Sequence, residues 1–283
     1  MKVTLIINPK AGKRRAPGVV ALAEALCAEQ GVALTVRTIE GRDHGTELAR
    51  EAVKDGADRV LCAGGDGTLN KVARGLLGST VPLGIVPQGS GNGYSRSLRL
   101  PQRPMDALRT ALEGTPRPMD VCYLNEHPFL GTAGIGFDAR VADRFDRTTG
   151  RGMWNYTRII LQEVFGAEPM PVRMEVNGEH VEEKVLMLVF ANTMEFGNGA
   201  RIAPAALPDD GLADLKLVRK PGLLGLMQAF LHLYTGRADR SRHIRTFLTT
   251  SALVVQQGEL AHLDGEPVRI GHHVAFRLDP KAL

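Results

Sequence analysis

Arg59-Val60-Leu61-Cys62-Ala63-Gly64-Gly65-Asp66-Gly67-Thr68-Leu69-Asn70-Lys71 is the stretch that decides how the chain is read. A β-rich run, Arg59 to Ala63, enters three glycines, an acid and a hydroxyl, and a helical pattern follows from Leu69 to Leu77. Glycines let main chain approach a ligand closely, a helix start presents N–H groups without intrahelical partners, and Thr68 adds a hydroxyl donor. The stretch therefore reads as a cradle for nucleotide phosphates. Asp66 is out of place in a loop that only binds anions. Beside phosphates, a carboxylate makes sense when it works through Mg2+ or orients a positive group. Taken alone, Gly64 to Thr68 also fits a tight strand-to-helix turn with Asp66 as its cap.

Outward from this loop, short β-rich runs alternate with helical patterns through the first ~120 residues, which predicts parallel strands joined by right-handed crossovers. The strands are expected over Val3 to Ile7, Val32 to Arg37, Arg59 to Ala63 and Pro82 to Val86. The helices are expected over Pro17 to Glu29, Gly45 to Lys54, Leu69 to Leu77 and Met105 to Glu113. Two more loops end strands at the same edge, where open α/β sheets place ligands. Asn8-Pro9-Lys10-Ala11-Gly12-Lys13 offers backbone donors and two ammonium groups, and Pro87-Gln88-Gly89-Ser90-Gly91-Asn92-Gly93 repeats the glycine and hydroxyl chemistry. Each alone fits a polar surface turn; three on one edge point to phosphate binding.

After Asp120 the spacing shortens to strands with turn signals, of which Val176-Asn177-Gly178-Glu179 is the clearest hairpin. Strands are expected over Met170 to Val176, Val181 to Ala191, Ala213 to Val218, Ala252 to Gln256 and His273 to Leu278. Helical insertions are expected over Ala139 to Asp146, Met153 to Phe165 and Gly222 to Tyr234. The expected fold is α/β: a Rossmann-like nucleotide domain over 1–123, then a β-rich domain, a β-sandwich, over 124–283, with the C-terminal tail a candidate to rejoin the first. In the second domain, Asp264-Gly265-Glu266 places two carboxylates around a turn, a spacing that suits bringing an acid to a reacting hydroxyl. Leu207-Pro208-Asp209-Asp210-Gly211-Leu212 offers a carboxylate and turn carbonyls, the oxygen chemistry Mg2+ prefers. An ordinary hairpin and an Asp-Gly turn are the plain readings of those two segments.

The 283 residues are enough for one large or two ordinary domains. At 43% hydrophobic and 23% charged residues the composition is that of a globular protein. A net charge of +4, from 35 Lys and Arg against 31 Asp and Glu, is too small to imply nucleic acid as a partner. Cys27, Cys62 and Cys122 are too few and too widely spaced for a metal site, and their odd number argues against a disulfide framework. A reducing cytoplasm is the expected compartment. Met1 runs directly into the first strand, without the apolar core of a signal peptide. The longest apolar-rich stretch, Gly222 to Tyr234, is shorter than the roughly 20 residues that span a bilayer, so membrane contact is expected to be peripheral, at the inner face. Leu223, Leu224, Leu226, Met227, Phe230, Leu231 and Leu233, followed by Arg237, Arg240, Arg242 and Arg245, fit an element docking on anionic lipid and fit equally a core helix with a solvated basic turn.

In order, NPKAGK, GGDGTLN, PQGSGN, GIGFDA (Gly134 to Ala139), the run Pro204 to Leu215 and DGE resemble the diacylglycerol kinase catalytic-domain family. That family also holds sphingosine and ceramide kinases and bacterial soluble lipid kinases. The resemblance spans nearly the whole chain, although GGDGT alone is shared with NAD kinases. It implies ATP-dependent phosphorylation of a lipid hydroxyl, on diacylglycerol or a sphingoid-type acceptor. Further, it implies ATP contacts from Asn8, Pro9, Lys10, Ala11, Gly12, Thr38, Gly64, Gly65, Asp66, Gly67, Thr68, Leu69, Asn70, Lys71 and Ser90. Lys13 matches a phosphate-facing lysine. Asp210, with the carbonyls of Leu207 and Leu212, matches a structural Mg2+ site, and Asp66 a residue organising the metal and water network. Glu266 matches the proton acceptor, with Asp264 its rival. Lys71 and Gly93 stand where many bacterial members carry Glu and Asp, and the GSGN form is more similar to sphingoid-base kinases. A lipid at a membrane surface is the expected partner, with a second copy of the chain a further candidate. NAD kinase and a non-catalytic nucleotide- or lipid-binding regulator are the alternatives.

Overall fold

The computed structural model describes residues 1–11, 16–41, 43–148 and 153–283. It divides into two compact units, one of residues 1–118 with 282–283 and one of residues 119–281.

The first unit runs β1 (Lys2–Ile7), α1 (Ala16–Glu29), β2 (Ala33–Thr38), α2 (His44–Lys54), β3 (Arg59–Gly64), α3 (Asp66–Leu76), β4 (Leu83–Pro87), α4 (Gly93–Ser97) and α5 (Pro104–Glu113). The four strands are all parallel, in the order β2-β1-β3-β4. β1 and β3 lie inside the sheet and are almost continuously apolar, as strands covered on both faces must be. Val3, Leu5, Ile7, Leu61, Ala63 and Val86 build one core with α1 and α5. α3 starts at Asp66 rather than at the expected Leu69. Gly65 takes an extended conformation at the cap position, so Asp66, Gly67 and Thr68 form the helix's first turn instead of a loop.

The second unit continues with β5 (Val121–Leu124), β6 (His127–Phe129), β7 (Thr132–Gly136), α6 (Phe137–Asp146), α7 (Met153–Gly166), β8 (Met170–Val176), β9 (Glu179–Val185), β10 (Met187–Ala191), β11 (Glu195–Gly197), β12 (Ala200–Arg201) and β13 (Ala213–Val218). It ends with α8 (Leu223–Thr235), a 3-10 turn at Ala238–Arg240, β14 (Ile244–Thr249), β15 (Ser251–Gln256), β16 (Leu260–Leu263), β17 (Glu266–Arg269) and β18 (His273–Asp279). Two six-stranded antiparallel sheets result, β14-β13-β10-β7-β16-β17 and β6-β5-β18-β15-β8-β9. Their inner faces share one core, in which Phe190 of the first sheet stacks on Phe276 of the second with ring centroids 5.0 Å apart. This is a β-sandwich, and β15 and β18 show the period-2 alternation of strands with one face in the core.

The run Val181 to Ala191 is not one strand. It breaks at Leu186 and feeds β9 to one sheet and β10 to the other. The N–H of Leu186 bonds to Val218 O and its carbonyl accepts from Phe137 N, which marks the corner. The hairpin at Asn177-Gly178 forms as its sequence predicts, with φ of 51° and 77° at the two turn residues.

Cys27, Cys62 and Cys122 are buried and free. Burial pushes the Cys62 thiol up to about 12 and raises Cys27. Cys122 is raised well above its usual value by burial first, then by the carboxylates of Asp120, Asp264 and Asp279. Because the thiolate is the nucleophile, iodoacetamide at about pH 8 is expected to leave all three cysteines of the folded protein unmodified and to label all three in guanidinium. Mass spectrometry reads the difference; a thiol labelled rapidly in the native state would contradict the packing.

Candidate active site

In the first unit the predicted nucleotide residues gather at the carboxyl edge of the parallel sheet. Asn8 follows β1, Thr38 ends β2 beside Ile7, Gly64 and Gly65 end β3, and Pro87 to Asn92 follow β4. Asn8 Nδ2 donates to Thr68 Oγ1 at 2.9 Å, and Asn8 Oδ1 accepts the Lys10 N–H at 3.0 Å. The loop after β1 is thereby tied to the first turn of α3. Gly12 and Lys13 lie outside the described residues.

The loops after β3 and β4 meet backbone to backbone. Gln88 N donates to Gly64 O at 2.7 Å. A Cβ added at Gly89 would lie 2.6 Å from Gly65 Cα and 2.7 Å from Asn92 Oδ1, so the contact requires glycine there. Asn92 is left-handed, with φ 53°, and its Oδ1 accepts the Gly89 N–H at 2.8 Å. The Asp66 carboxylate completes the tie, accepting the N–H of Gly93 at 3.0 Å and of Tyr94 at 3.1 Å. Gly93 therefore makes a backbone contact to Asp66. Ser90 is exposed at the loop tip, and Lys71 lies one turn into α3, its carbonyl accepting from Thr46 Oγ1 at 2.8 Å. A shallow cleft lined by Cys62, Asp66, Ile85 and Ser95 lies behind the loops, with room for little more than a water molecule.

In the second unit, Asp264 and Gly265 form the turn between β16 and β17, with φ of 48° and 84°. Both oxygens of Asp264 accept backbone N–H groups: Oδ2 from Leu130 at 2.9 Å, Oδ1 from Gly131 at 2.8 Å and Thr132 at 3.1 Å. Glu266 starts β17, half-buried. Behind the turn, buried His262 Nε2 lies 3.1 Å from Asp138 Oδ2, and Gly265 N donates to His262 Nδ1 at 3.4 Å. This pairing leaves the imidazole proton on Nε2, directed to Asp138.

The loop Leu207 to Leu212 is held from below by Asp120, which is fully buried. Asp120 accepts the Gly211 N–H at 2.7 Å and the Lys281 N–H at 2.8 Å, and its own N–H bonds to Pro208 O. Asp210 Oδ1 accepts the Leu212 N–H at 3.0 Å. Among the described residues no three His, Cys, Asp or Glu side chains converge on a metal position. The donors offered at this loop are one carboxylate and turn carbonyls, hard oxygen ligands that fit Mg2+ with water completing the shell. Buried Asn192, which sequence reasoning passed over, joins this loop to the Asp264 turn: its Nδ2 donates to Asp120 O at 3.2 Å and Leu130 O at 2.8 Å. A polar residue just after an apolar strand reads as an ordinary turn, so only the fold reveals it.

Two family models match the chain, the diacylglycerol kinase catalytic domain over residues 2–124 and the YegS C-terminal NAD kinase beta sandwich-like domain over residues 131–283. The chain belongs to the diacylglycerol kinase family of lipid kinases. Among its relatives, a protein of Chromohalobacter salexigens named "Probable lipid kinase YegS-like" is 38% identical over 200 residues, covering 68% of this chain and 63% of that protein. A Mycobacterium tuberculosis protein named "Diacylglycerol kinase" is 29% identical over 94% of this chain and 88% of its own length. The crystal structure of a Bacillus anthracis diacylglycerol kinase superposes with a TM-score of 0.75 over all of this chain and 95% of that one; at 22% identity it shows a shared fold.

Two substitutions test the ties that shape the family's loops in this chain. Gly89→Ala forces the β3 and β4 loops apart and is expected to cost about 2 kcal/mol of stability and roughly tenfold or more in nucleotide affinity, measured by thermal melting and calorimetry; unchanged values would contradict the contact. Asp264→Ala strands three N–H groups and is expected to cost about 3 kcal/mol, read from denaturant unfolding, whereas a loss under about 0.5 kcal/mol would show that the carboxylate does not hold the turn.

Proposed function

We propose that the protein is an ATP-dependent lipid kinase that transfers the γ-phosphoryl group to a hydroxyl of a diacylglycerol or sphingoid-type lipid. The observation that carries this reading is the cross-tied sheet edge, where three strand-end loops are locked together by Asn8, Asp66 and the Gly65–Gly89 contact. Phosphoryl transfer needs positioning and charge neutralisation more than covalent chemistry from the protein. A rigid edge of backbone donors supplies positioning without reorganisation during the reaction. Membership in a lipid kinase family directs the acceptor toward a lipid.

Within this reading ATP is held by Asn8, Pro9, Lys10, Ala11, Thr38, Gly64 to Lys71 and Ser90, together with Gly12 and Lys13. Asp66 acts first as the tie that sets the loops' shape, since it bonds two N–H groups of α4. Asp210 with the carbonyls of Leu207 and Leu212 would hold Mg2+, which supplies positive charge when bound. Glu266 accepts the hydroxyl proton as the phosphoryl group moves. The division between the two acids rests on geometry: Asp264 spends both oxygens on Leu130, Gly131 and Thr132 and acts as the scaffold of the turn that carries Glu266.

Glu266→Gln preserves shape and removes the base. The variant is expected to bind ATP within about threefold of wild type and to lose roughly 10²–10⁴-fold in transfer to diacylglycerol in mixed micelles, the usual worth of a general base. Undiminished transfer would remove Glu266 from that role.

A further inference from the structure

Helix α8 turns an apolar side outward. Leu224, Met227, Phe230, Leu231 and Tyr234 are all exposed, Leu224 at 81% and Met227 at 70%. At 3.6 residues per turn they fall in one stripe about 120° wide. Leu233, on the opposite side, packs against the buried cluster of Val189, Ile202, Ala203 and Val218, so the helix already has its core contact. No Asp, Glu, Lys or Arg occurs between 223 and 235.

Charge is concentrated around the same element. Residues 215–258 hold seven Lys and Arg and a single acid, Asp239, a net +6 against +4 for the whole chain, so the remaining residues sum to −2. The one acid is already taken: fully buried Lys216 bonds through Nζ to Asp239 and to Thr246 Oγ1 at 3.1 Å. Arg219 is held by Glu183 through two bonds of 2.9 Å, and Arg245 by Glu179 and Glu183. What remains are Lys220 before the helix and Arg237, Arg240 and Arg242 after it, all exposed and without a carboxylate partner among the described residues. Gly236, with φ 67°, ends the helix and begins this basic turn.

We propose that α8 is an interfacial anchor, laying its apolar stripe into the headgroup–acyl boundary of an anionic bilayer while Lys220, Arg237, Arg240 and Arg242 meet lipid phosphates. This deepens the lipid-kinase reading and rests on it in taking a bilayer as the partner. Thirteen residues make a helix about 20 Å long, which lies in the interface and does not cross a core about 30 Å thick. Charge selects the occupant. A second copy docked through the same face would set two uncompensated basic clusters against each other, a repulsive arrangement; an anionic surface neutralises them.

The test is flotation with vesicles of phosphatidylcholine alone or with phosphatidylglycerol, without nucleotide or acceptor, at low and high salt. Wild type is expected to float with the anionic vesicles and to be released by salt. Leu224→Gln/Met227→Gln/Leu231→Gln is expected to lose at least about tenfold in binding, and Arg237→Gln/Arg240→Gln/Arg242→Gln roughly fivefold per arginine. Leu224→Gln alone, at so exposed a position, gives the same direction with the fold intact. Transfer to a short-chain diacylglycerol dissolved as monomers is expected to stay at the wild-type rate in all three. Anionic binding retained by the Leu/Met variant, or equal binding to neutral vesicles, overturns the proposal. So does a wild-type dimer in sedimentation velocity that this variant converts to monomer without vesicle binding. Vesicle binding by a protein that transfers no phosphate to any lipid would fail the kinase reading and leave the anchor standing.

Discussion

The carboxylate of Asp66 is the tie on which the carboxyl edge of the parallel sheet depends. It accepts two N–H groups from the start of α4 while sitting in the first turn of α3, so one side chain joins the structures that follow β3 and β4. Its negative charge is favourable at a helix N-terminus, and the two N–H bonds stabilise that charge. Everything else at the edge follows from how close this brings the loops. Gly65 and Gly89 approach so nearly that a methyl group would collide, and Asn92 adopts a left-handed backbone to close the turn. The Asn8 to Thr68 bond then anchors the loop after β1 to the same helix start. Few shapes are open to main chain tied at so many points, which is what a preorganised phosphate site requires.

The second unit uses two acids in the same way, one buried and one half-buried. Asp120 and Asp264 both serve as acceptors for backbone N–H groups of loops, and Asn192 links the two clusters. Each lies close in sequence or space to another acid, exposed Asp210 in one loop and half-buried Glu266 in the other. A carboxylate with two or three N–H donors is satisfied, and in both clusters it shapes the loop that carries it.

Much of this was legible in the sequence. Apolar runs at strand length, helical periods between them and glycine loops at strand ends were enough for a four-stranded parallel sheet and for the loops that gather at its carboxyl edge. The strand-dense second half, with its Asn-Gly turn, was enough for a sandwich. What could not be read depended on contacts distant in sequence. The start of α3 at Asp66 depends on Gly65 taking an extended cap conformation, and propensity at Gly67 argues against helix there. The break at Leu186 is set by its partners Phe137 and Val218, far along the chain. Asp264 and Glu266 look equivalent in sequence, and the scaffold role of Asp264 comes from Leu130, Gly131 and Thr132, far along the chain. The exposure of one face of α8 also depends on the fold, in which Leu233 packs on a core cluster while Leu224, Met227, Phe230, Leu231 and Tyr234 stay outside it.

Labelled ATP supplied with a panel of diacylglycerol, sphingoid bases, ceramide and NAD in mixed micelles shows which acceptor takes the phosphoryl group. The γ-phosphate is expected in the lipid fraction, on diacylglycerol or a sphingoid-type acceptor. Label found only in NADP, or in no acceptor at all, would contradict that expectation.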